Sequence, residues 1–392
     1  MLYQPSNNNY MLTNSLLVVL EVVYGEPLKS KMSMFLCLVL SFFFSLIFLP
    51  QIINISKRKH LYDIPNSRKS HHERISRLGG IAFFPSTVLS MSLVIGYRYL
   101  IAFPLDEQLT GNILLEFLFL SVGCLFLYML GVEDDLIGVR YRKKFITQFL
   151  VASLLPLSGF YLDNLYGLFG LYILPVYLAI PLTVLVIVFI TNAVNLIDGI
   201  DGLAAGGSTF SFLVIGLMFF HEELWLYAML SFSAAGSLIP FLYFNICGRT
   251  TRGTKMFMGD AGSLFLGYLL SFLIIKYAIY VPETELDIKN LVIPFTLLFI
   301  PIFDAFRVMV VRAMHHRPLF IADKNHLHHK CLAAGMSHLQ ATVLILVFTI
   351  ALLILNNWLT GICNINLLLA INLSLGILFS KILNIWKRNH PE

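Results

Sequence analysis

The sequence predicts an all-α, polytopic integral membrane protein of about 11 transmembrane helices, with its chemistry-bearing residues gathered into an active site at the cytoplasmic face. Three observations carry that prediction. The 392-residue chain is 58% hydrophobic and only 12% charged, against about 25% charged in soluble proteins. Its apolar residues fall in runs of roughly 20, the helix length that crosses a hydrocarbon layer of ~30 Å. Lys and Arg concentrate in alternate loops, which sets the orientation of those runs.

The expected spans are 34–54, 80–97, 111–131, 146–162, 170–191, 203–220, 224–245, 261–280, 291–311, 339–356 and 361–384. Prolines within them (Pro156, Pro175, Pro181, Pro240, Pro294, Pro301) are tolerated in membrane helices and mark candidate kinks. The loops at 56–78, 132–145, 246–260 and 312–338, with the C-terminal end, hold 21 of the 27 Lys and Arg. The intervening loops carry mainly acids, so the basic loops and the C-terminus are expected in the cytoplasm. The net charge of +5 therefore reflects topology and calls for no nucleic-acid partner. Residues 1–31 read as an atypical N-terminal extension or a misassigned start, because Met11–Tyr24 is short, contains Glu21 and lacks a basic lead. Residues 34–386 read as one transmembrane domain. The five cysteines are scattered and suggest neither a disulfide framework nor a zinc site.

Within this topology the polar motifs fall on one side. GVEDDLIGVRYRKK places Glu133, Asp134 and Asp135 at the end of the third span. Adjacent carboxylates raise one another's proton affinity, which suits a base near neutral pH. Alternatively they form a solvated helix end balanced by Arg140, Arg142, Lys143 and Lys144. TNAVNLIDGIDGLAAG spaces Asn192, Asn195, Asp198 and Asp201 along one side of a helix. This oxygen-rich surface suits a hard cation such as Mg²⁺, or else the acids and glycines simply make a turn.

In KMFMGDAGSLFLG, Asp260 sits near a helix N-terminus whose N–H groups can meet phosphate oxygens. Phe257 offers a flat face for a base, and Asp260 can equally act as an N-cap. PLFIADKNHLHHK carries His326, His328 and His329, either a zinc cluster or donors to phosphate. With Cys331 the sole nearby thiol and the acids elsewhere, phosphate donors fit better. RKSHHERISRLGG, which includes Lys69, faces lipid headgroups or an anionic substrate. Inside the spans, Asp304 and Arg307 at i, i+3 are expected as a buried pair, and Glu116 and Lys276 are expected to snorkel outward.

Taken together and in order, RKSH…SRLGG, GVEDD…KKFITQ, NAVNLIDGIDGLAAG, FMGDAGS, PIFD and DKNHLHH resemble the motif set of the polyprenyl-phosphate N-acetylhexosamine-1-phosphate transferases, glycosyltransferase family 4. The resemblance covers about residues 34–335. SRLGG and HLHH look more like the undecaprenyl-phosphate N-acetylglucosamine-1-phosphate branch than the muramoyl-pentapeptide branch. It implies a bacterial inner-membrane enzyme that starts cell-envelope polysaccharide synthesis. Undecaprenyl phosphate attacks a UDP-N-acetylsugar and releases UMP, with Mg²⁺ required and Mn²⁺ as a substitute; a homodimer is the candidate assembly.

By the same resemblance Asp260 and Asn195 hold the metal, with Asp198 nearby. Asp134 orients or deprotonates the lipid phosphate, and Asp135 organises metal and diphosphate. Asp201 and Phe257 hold uracil, Asn245 matches a residue near it, and His326, His328 and His329 bind phosphate or sugar, with His328 counted as catalytic. Lys69 is counted with the substrate-binding residues. GRTTRG makes the run from Asn245 to Asp260 about five residues longer than usual. A transporter using these acids as ion sites is the competing class, and it would place them at mid-membrane.

Overall fold

The computed structural model describes residues 26–62, 75–100, 111–280, 287–316, 318 and 325–389. Long apolar helices dominate: α1 (Glu26–Lys59), α2 (Phe83–Leu100), α3 (Gly111–Ile137), α4 (Tyr141–Ala152), α5 (Val176–Ile197), α6 (Leu203–His221), α7 (Trp225–Leu242) and α8 (Asp260–Ile279). They are followed by α9 (Lys289–Leu297), α10 (Phe299–Met314), α11 (Leu327–Leu332), α12 (His338–Leu359) and α13 (Ile365–Asn389). Two short strands, β1 (Asn164–Leu168) and β2 (Leu171–Ile173), pair antiparallel. Helix α1 begins at Glu26, inside the stretch expected to be an appendage. The remainder of that extension, and Lys69, lie outside the described residues.

Nine helices among the described residues are long and apolar enough to span a bilayer, or ten if one bent pair counts as a span. This corrects one expected span and bends another. The run at 146–162 is instead the 12-residue α4 followed by a 3₁₀ turn at Leu155–Ser158. Pro156 cannot donate to a continuing helix, and Gly159 ends the turn at φ +85°. The run at 291–311 is broken into α9 and α10, bent by 75°. Pro301 lies in the first turn of α10, where its missing N–H is no loss. The expected span at 170–191 starts later, at Val176, because the chain first turns through the β hairpin.

Helix α8 is the hub, buried along nearly its whole length. It packs against α3 and α5, while α7 fills the space between α1 and α6. At one end the hairpin closes the bundle, with Tyr166 Oη donating to the Ala278 carbonyl at 2.8 Å. The described residues of the motif loops lie at the opposite end, called here the motif face. Glu116 and Lys276 do not snorkel: Lys276 Nζ lies 2.7 Å from Glu116 Oε1, and Tyr227 Oη donates to Glu116 Oε2 at 2.8 Å. Pairing inside the bundle satisfies both charges without reaching the surface. Asp304 and Arg307 form the expected i, i+3 pair at 2.7 Å.

Candidate active site

The cleft at the motif face is held by a backbone scaffold before any side chain reaches across it. The SRLGG segment runs beside KMFMG: Phe257 N–H donates to the Ser76 carbonyl, Gly79 N–H to Phe257, and Gly80 N–H to Met258, at 2.8, 3.0 and 2.7 Å. Gly259 then turns the chain into α8 at φ +77°, with its Cα against the Arg77 carbonyl, where a Cβ would lie 2.0 Å from that oxygen. Only glycine fits such a position. SRLGG is thus spent on placing Asp260 at the head of α8.

Asp135 completes that placement. Its Oδ1 accepts from Asp260 N–H at 2.8 Å and its Oδ2 from Ala261 N–H at 3.0 Å. The first two N–H groups of α8, expected to be open to phosphate, are capped by a carboxylate from α3. Asp134 turns the other way. Its Oδ1 accepts from Val139 N–H at 2.6 Å, and its Oδ2 lies 2.7 Å from Lys144 Nζ. Lys144 also reaches Asp260 Oδ2 at 3.1 Å, so one ammonium bridges two carboxylates. Gly138, at φ +76°, makes the turn that brings Lys144 back over Asp134.

From the end of α5, Asn195 Nδ2 donates to Asp260 Oδ1 and to Ser263 Oγ, the latter at 2.7 Å. Asp198 caps α5 one turn later. Burial first, then the charges of Asp260 and Asp135, push its carboxyl up to about 7. Four acids thus approach one another, with Lys144 bridging two of them and the Arg77 charge acting on Asp135 and Asp198. A hard divalent cation fits such a set, and Asp260, Asp198 and the oxygen of Asn195 could hold it. Among the described residues no three His, Cys, Asp or Glu side chains form a metal cage by themselves. Mg²⁺ is commonly held by one or two carboxylates, with phosphates and water completing its shell.

Asp201 lies at the other end of the cleft. Its Oδ2 is 2.6 Å from Lys255 Nζ and 3.1 Å from His338 Nδ1, and Thr342 Oγ1 donates to its carbonyl at 2.9 Å. Burial raises the Asp201 carboxyl, but His338 and Lys255 outweigh it and hold the group below the ordinary carboxylate range. Its Oδ1 is buried with no hydrogen-bond partner among the described residues, an acceptor left for a ligand. Asn245 sits in a π-helical turn, Tyr243–Cys247. Its amide bonds backbone at both ends: Oδ1 accepts from Gly202 N–H at 2.6 Å and Nδ2 donates to the Met256 carbonyl at 2.9 Å. It staples the DGIDG loop to KMFMG. The GRTTRG insertion folds back on itself, with Thr254 N–H donating to the Arg249 carbonyl.

The histidine loop is anchored from α10. Asp304 Oδ2 lies 2.9 Å from His326 Nδ1, and the Leu327 N–H donates to the same carboxylate. His328 is 1% exposed, with both ring nitrogens free of hydrogen bonds among the described residues. Burial first, then His329 and His326, press its pKa down to about 3. The rings of His328 and His329 have centroids 4.2 Å apart.

The structure therefore brings Asp134, Asp135, Asn195, Asp198 and Asp260 together. It sets Asp201 and Phe257 along one side, where Phe257 shares the KMFMG segment with Lys255, and His326, His328 and His329 along another. Lys255 and His338 had no assigned role from sequence. Lys144, six residues beyond Gly138 in an acidic motif, was expected only as one of the cations balancing that helix end.

Comparison with known proteins identifies the class to which this fold and cleft belong: residues 117–278 match glycosyl transferase family 4. The chain is similar to a probable undecaprenyl-phosphate N-acetylglucosaminyl 1-phosphate transferase of Bacillus subtilis, 32% identical over 321 residues that cover 80% of this chain and 82% of that protein. The undecaprenyl-phosphate alpha-N-acetylglucosaminyl 1-phosphate transferases of Yersinia pestis and Escherichia coli K12 are each 28% identical over 314 residues, covering 79% of both chains. The chain belongs to glycosyl transferase family 4, on the branch that these relatives define.

Proposed function

We propose that this protein transfers N-acetylglucosamine 1-phosphate from UDP-N-acetylglucosamine to undecaprenyl phosphate, at the cytoplasmic face of the bacterial inner membrane. The observation that carries the reading is the convergence of Asp134, Lys144, Asn195, Asp198 and Asp260 at one membrane face. The printed activity of the relatives supports it. A transporter would need its ionisable groups along a mid-membrane path. The buried in-span pair Glu116–Lys276 is closed on itself.

An oxygen of the lipid phosphate attacks the β-phosphorus of the sugar nucleotide. The new P–O bond forms as the bond from that phosphorus to the oxygen bridging it to the α-phosphate breaks, and UMP departs. Such a reaction asks mainly for positioning and charge neutralisation. Asp260 with Asn195 or Asp198 would hold Mg²⁺, which would supply part of that neutralisation.

Asp134, fixed by Val139 N–H and Lys144, orients the attacking phosphate and takes any remaining proton. A phosphate monoester has its second pKa near about 6, so orientation is the larger task. Asp135 fixes Asp260 by holding the head of α8. Asp201 Oδ1 accepts from the uracil, with Lys255 and His338 keeping the carboxylate ionised, and Phe257 stacks on the base. His326 and His329 contact phosphate or sugar, and neutral His328 offers hydrogen bonding.

The polyprenyl chain has a place to lie. An apolar groove of about 740 Å³ runs between α5, the α9–α10 bend and α13, lined among others by Leu182, Leu185, Phe299, Phe303, Phe306 and Leu373. Phe306 is one residue from Arg307, so the groove leads toward the motif face.

The test is UMP release by purified protein with Mg²⁺, UDP-N-acetylglucosamine and undecaprenyl phosphate. Release is expected only when the lipid is present. Release without lipid would make the protein a hydrolase, and no release with any of a panel of UDP-N-acetylsugars would overturn the transferase reading.

A further inference from the structure

The seam between α10 and α13 continues past the apolar groove into a second cavity, of about 330 Å³, lined by Arg307, Asn325, Lys330, Ser380, Lys381 and Asn384 among others. Helical spacing explains the continuity. On α10, Phe303 lines the groove and Arg307 and Val311, one and two turns on, line the cavity. On α13, Leu373 lines the groove, and Ile377, Ser380 and Asn384 continue the same strip. One strip therefore changes from apolar to cationic as it nears the motif face.

Three cations meet there. Arg307 is gripped by Asp304 and by the Asn325 carbonyl. Lys330 is 8% exposed and donates one hydrogen bond, to Ser380 Oγ at 2.8 Å. An ammonium carries three donors, so two remain without a partner among the described residues. Burial, then the nearby Arg307, lower Lys330 to a pKa of about 8. The carboxylate beside them, Asp304, is already taken by Arg307, His326 and the Leu327 N–H. Among the described residues no carboxylate pairs with Lys330 or Lys381.

The surroundings identify the anion. Ile377, Leu378, Ile382 and Ile385 on α13 are exposed, as hydrocarbon-facing residues are, and half-exposed Trp386 follows them. Tryptophan in that setting marks the headgroup level. Basic pockets between helices at that depth suit phosphate headgroups.

We propose that the α10–α13 cavity binds the phosphate of an anionic phospholipid, at a site separate from the cleft that holds the reacting lipid phosphate. Lys330, Lys381 and Arg307 supply the charge, and Ser380 and Asn384 supply hydrogen bonds. The bound headgroup pins α13 to α10 and α11. Because Arg307 also holds Asp304, and Asp304 holds His326, the headgroup steadies the base of the histidine loop.

The experiment is native mass spectrometry of the full chain, delipidated in detergent and titrated with phosphatidylglycerol or phosphatidylcholine, without sugar nucleotide. Its outcome therefore does not depend on the transferase reading. Phosphatidylglycerol is expected to be retained in preference to phosphatidylcholine. Each elementary charge near a membrane surface is worth about fivefold, so Lys381→Glu, an exposed and fold-neutral change, is expected to weaken retention about 25-fold. Lys330→Met is expected to weaken it at least fivefold.

Equal retention of the two lipids, or Lys381→Glu protein that holds phosphatidylglycerol as the unmodified chain does, would overturn the site. Inorganic phosphate is the remaining arm. Failure of millimolar phosphate to displace the lipid supports the lipid assignment. Full displacement would reassign the cavity to soluble phosphate and overturn the lipid.

Discussion

Replacing Asp135 by Asn separates two roles that chemistry alone leaves merged. Asp135 accepts from the N–H groups of Asp260 and Ala261 at 2.8 and 3.0 Å. Asn has a single acceptor oxygen, so one N–H retains a weaker, neutral bond and the other faces an amide NH₂. A hydrogen bond to a charged group is worth about 1.5–3 kcal/mol, and a buried unsatisfied N–H costs about 1–3 kcal/mol. Relief of a buried carboxylate offsets part of that, leaving a loss of about 2–4 kcal/mol. The head of α8 then shifts and carries Asp260 with it. A 1 Å misplacement of a reacting group costs about 100-fold in rate. Asp135→Asn is therefore expected to lower thermal stability in detergent and to cut the rate of UMP release about 100-fold together. Wild-type stability with a complete loss of turnover would refute the capping argument and put Asp135 directly on metal or substrate.

Other expectations follow from the same geometry. Asp260→Ala should abolish Mg²⁺-dependent UMP release while the protein still elutes as a folded species; retained activity would remove Asp260 from the metal site. Lys276→Met should destabilise by about 3–5 kcal/mol by leaving Glu116 buried and unpaired, and adding Glu116→Gln should restore most of that, read as thermal unfolding. His338→Ala should raise KM for the sugar nucleotide about tenfold with kcat little changed. Asp201 lies below the ordinary carboxylate range. Its contacts therefore contribute stability that is complete above about pH 4, the unfolded value, and is lost as pH falls through the lower folded value. Without His338 the folded value moves up toward the unfolded one, so that acid loss should be smaller and should end at higher pH.

Most of the spans were legible because a run of about 20 apolar residues has few other uses. Asp304–Arg307 was legible because i, i+3 spacing joins two residues of one helix. The misreadings share a cause: hydropathy does not register where a helix stops. Pro156 and Gly159 end one expected span early, and Leu298 breaks another within an unbroken apolar run. In the cleft, sequence named acids that the fold brings together but not what each one touches. It could not show that Asp135 meets the head of α8, or that Asn245 joins Gly202 to Met256. His338 meets Asp201 across 137 residues of chain, and no local pattern announces such a contact.

His328 shows how burial decides a role that motif membership leaves open. An exposed histidine at 328 could supply positive charge to a leaving phosphate. This one is buried, with its pKa pressed to about 3 against 6.5, so it stays neutral throughout the physiological range. The sign for stability follows. Between pH 3 and 6.5 the unfolded chain binds the extra proton, so stability rises with pH across that window and is flat above it. At pH 5 the loss is about 2 kcal/mol. For catalysis, the fixed positive charge at the cleft then falls to Lys144, Lys255 and Arg77, beside the proposed Mg²⁺, and His328 contributes shape and hydrogen bonding. His328→Asn should lower kcat without moving the acidic limb of the pH–rate profile. A limb near 6.5 that disappears in the variant would refute this. Gly199 offers an independent approach, because a Cβ there would lie 2.2 Å from His328 Nε2. Gly199→Ala displaces the ring from the DGIDG side. If ring placement is what matters, the two substitutions act on one contact and are non-additive, so the double variant should be no slower than His328→Asn alone.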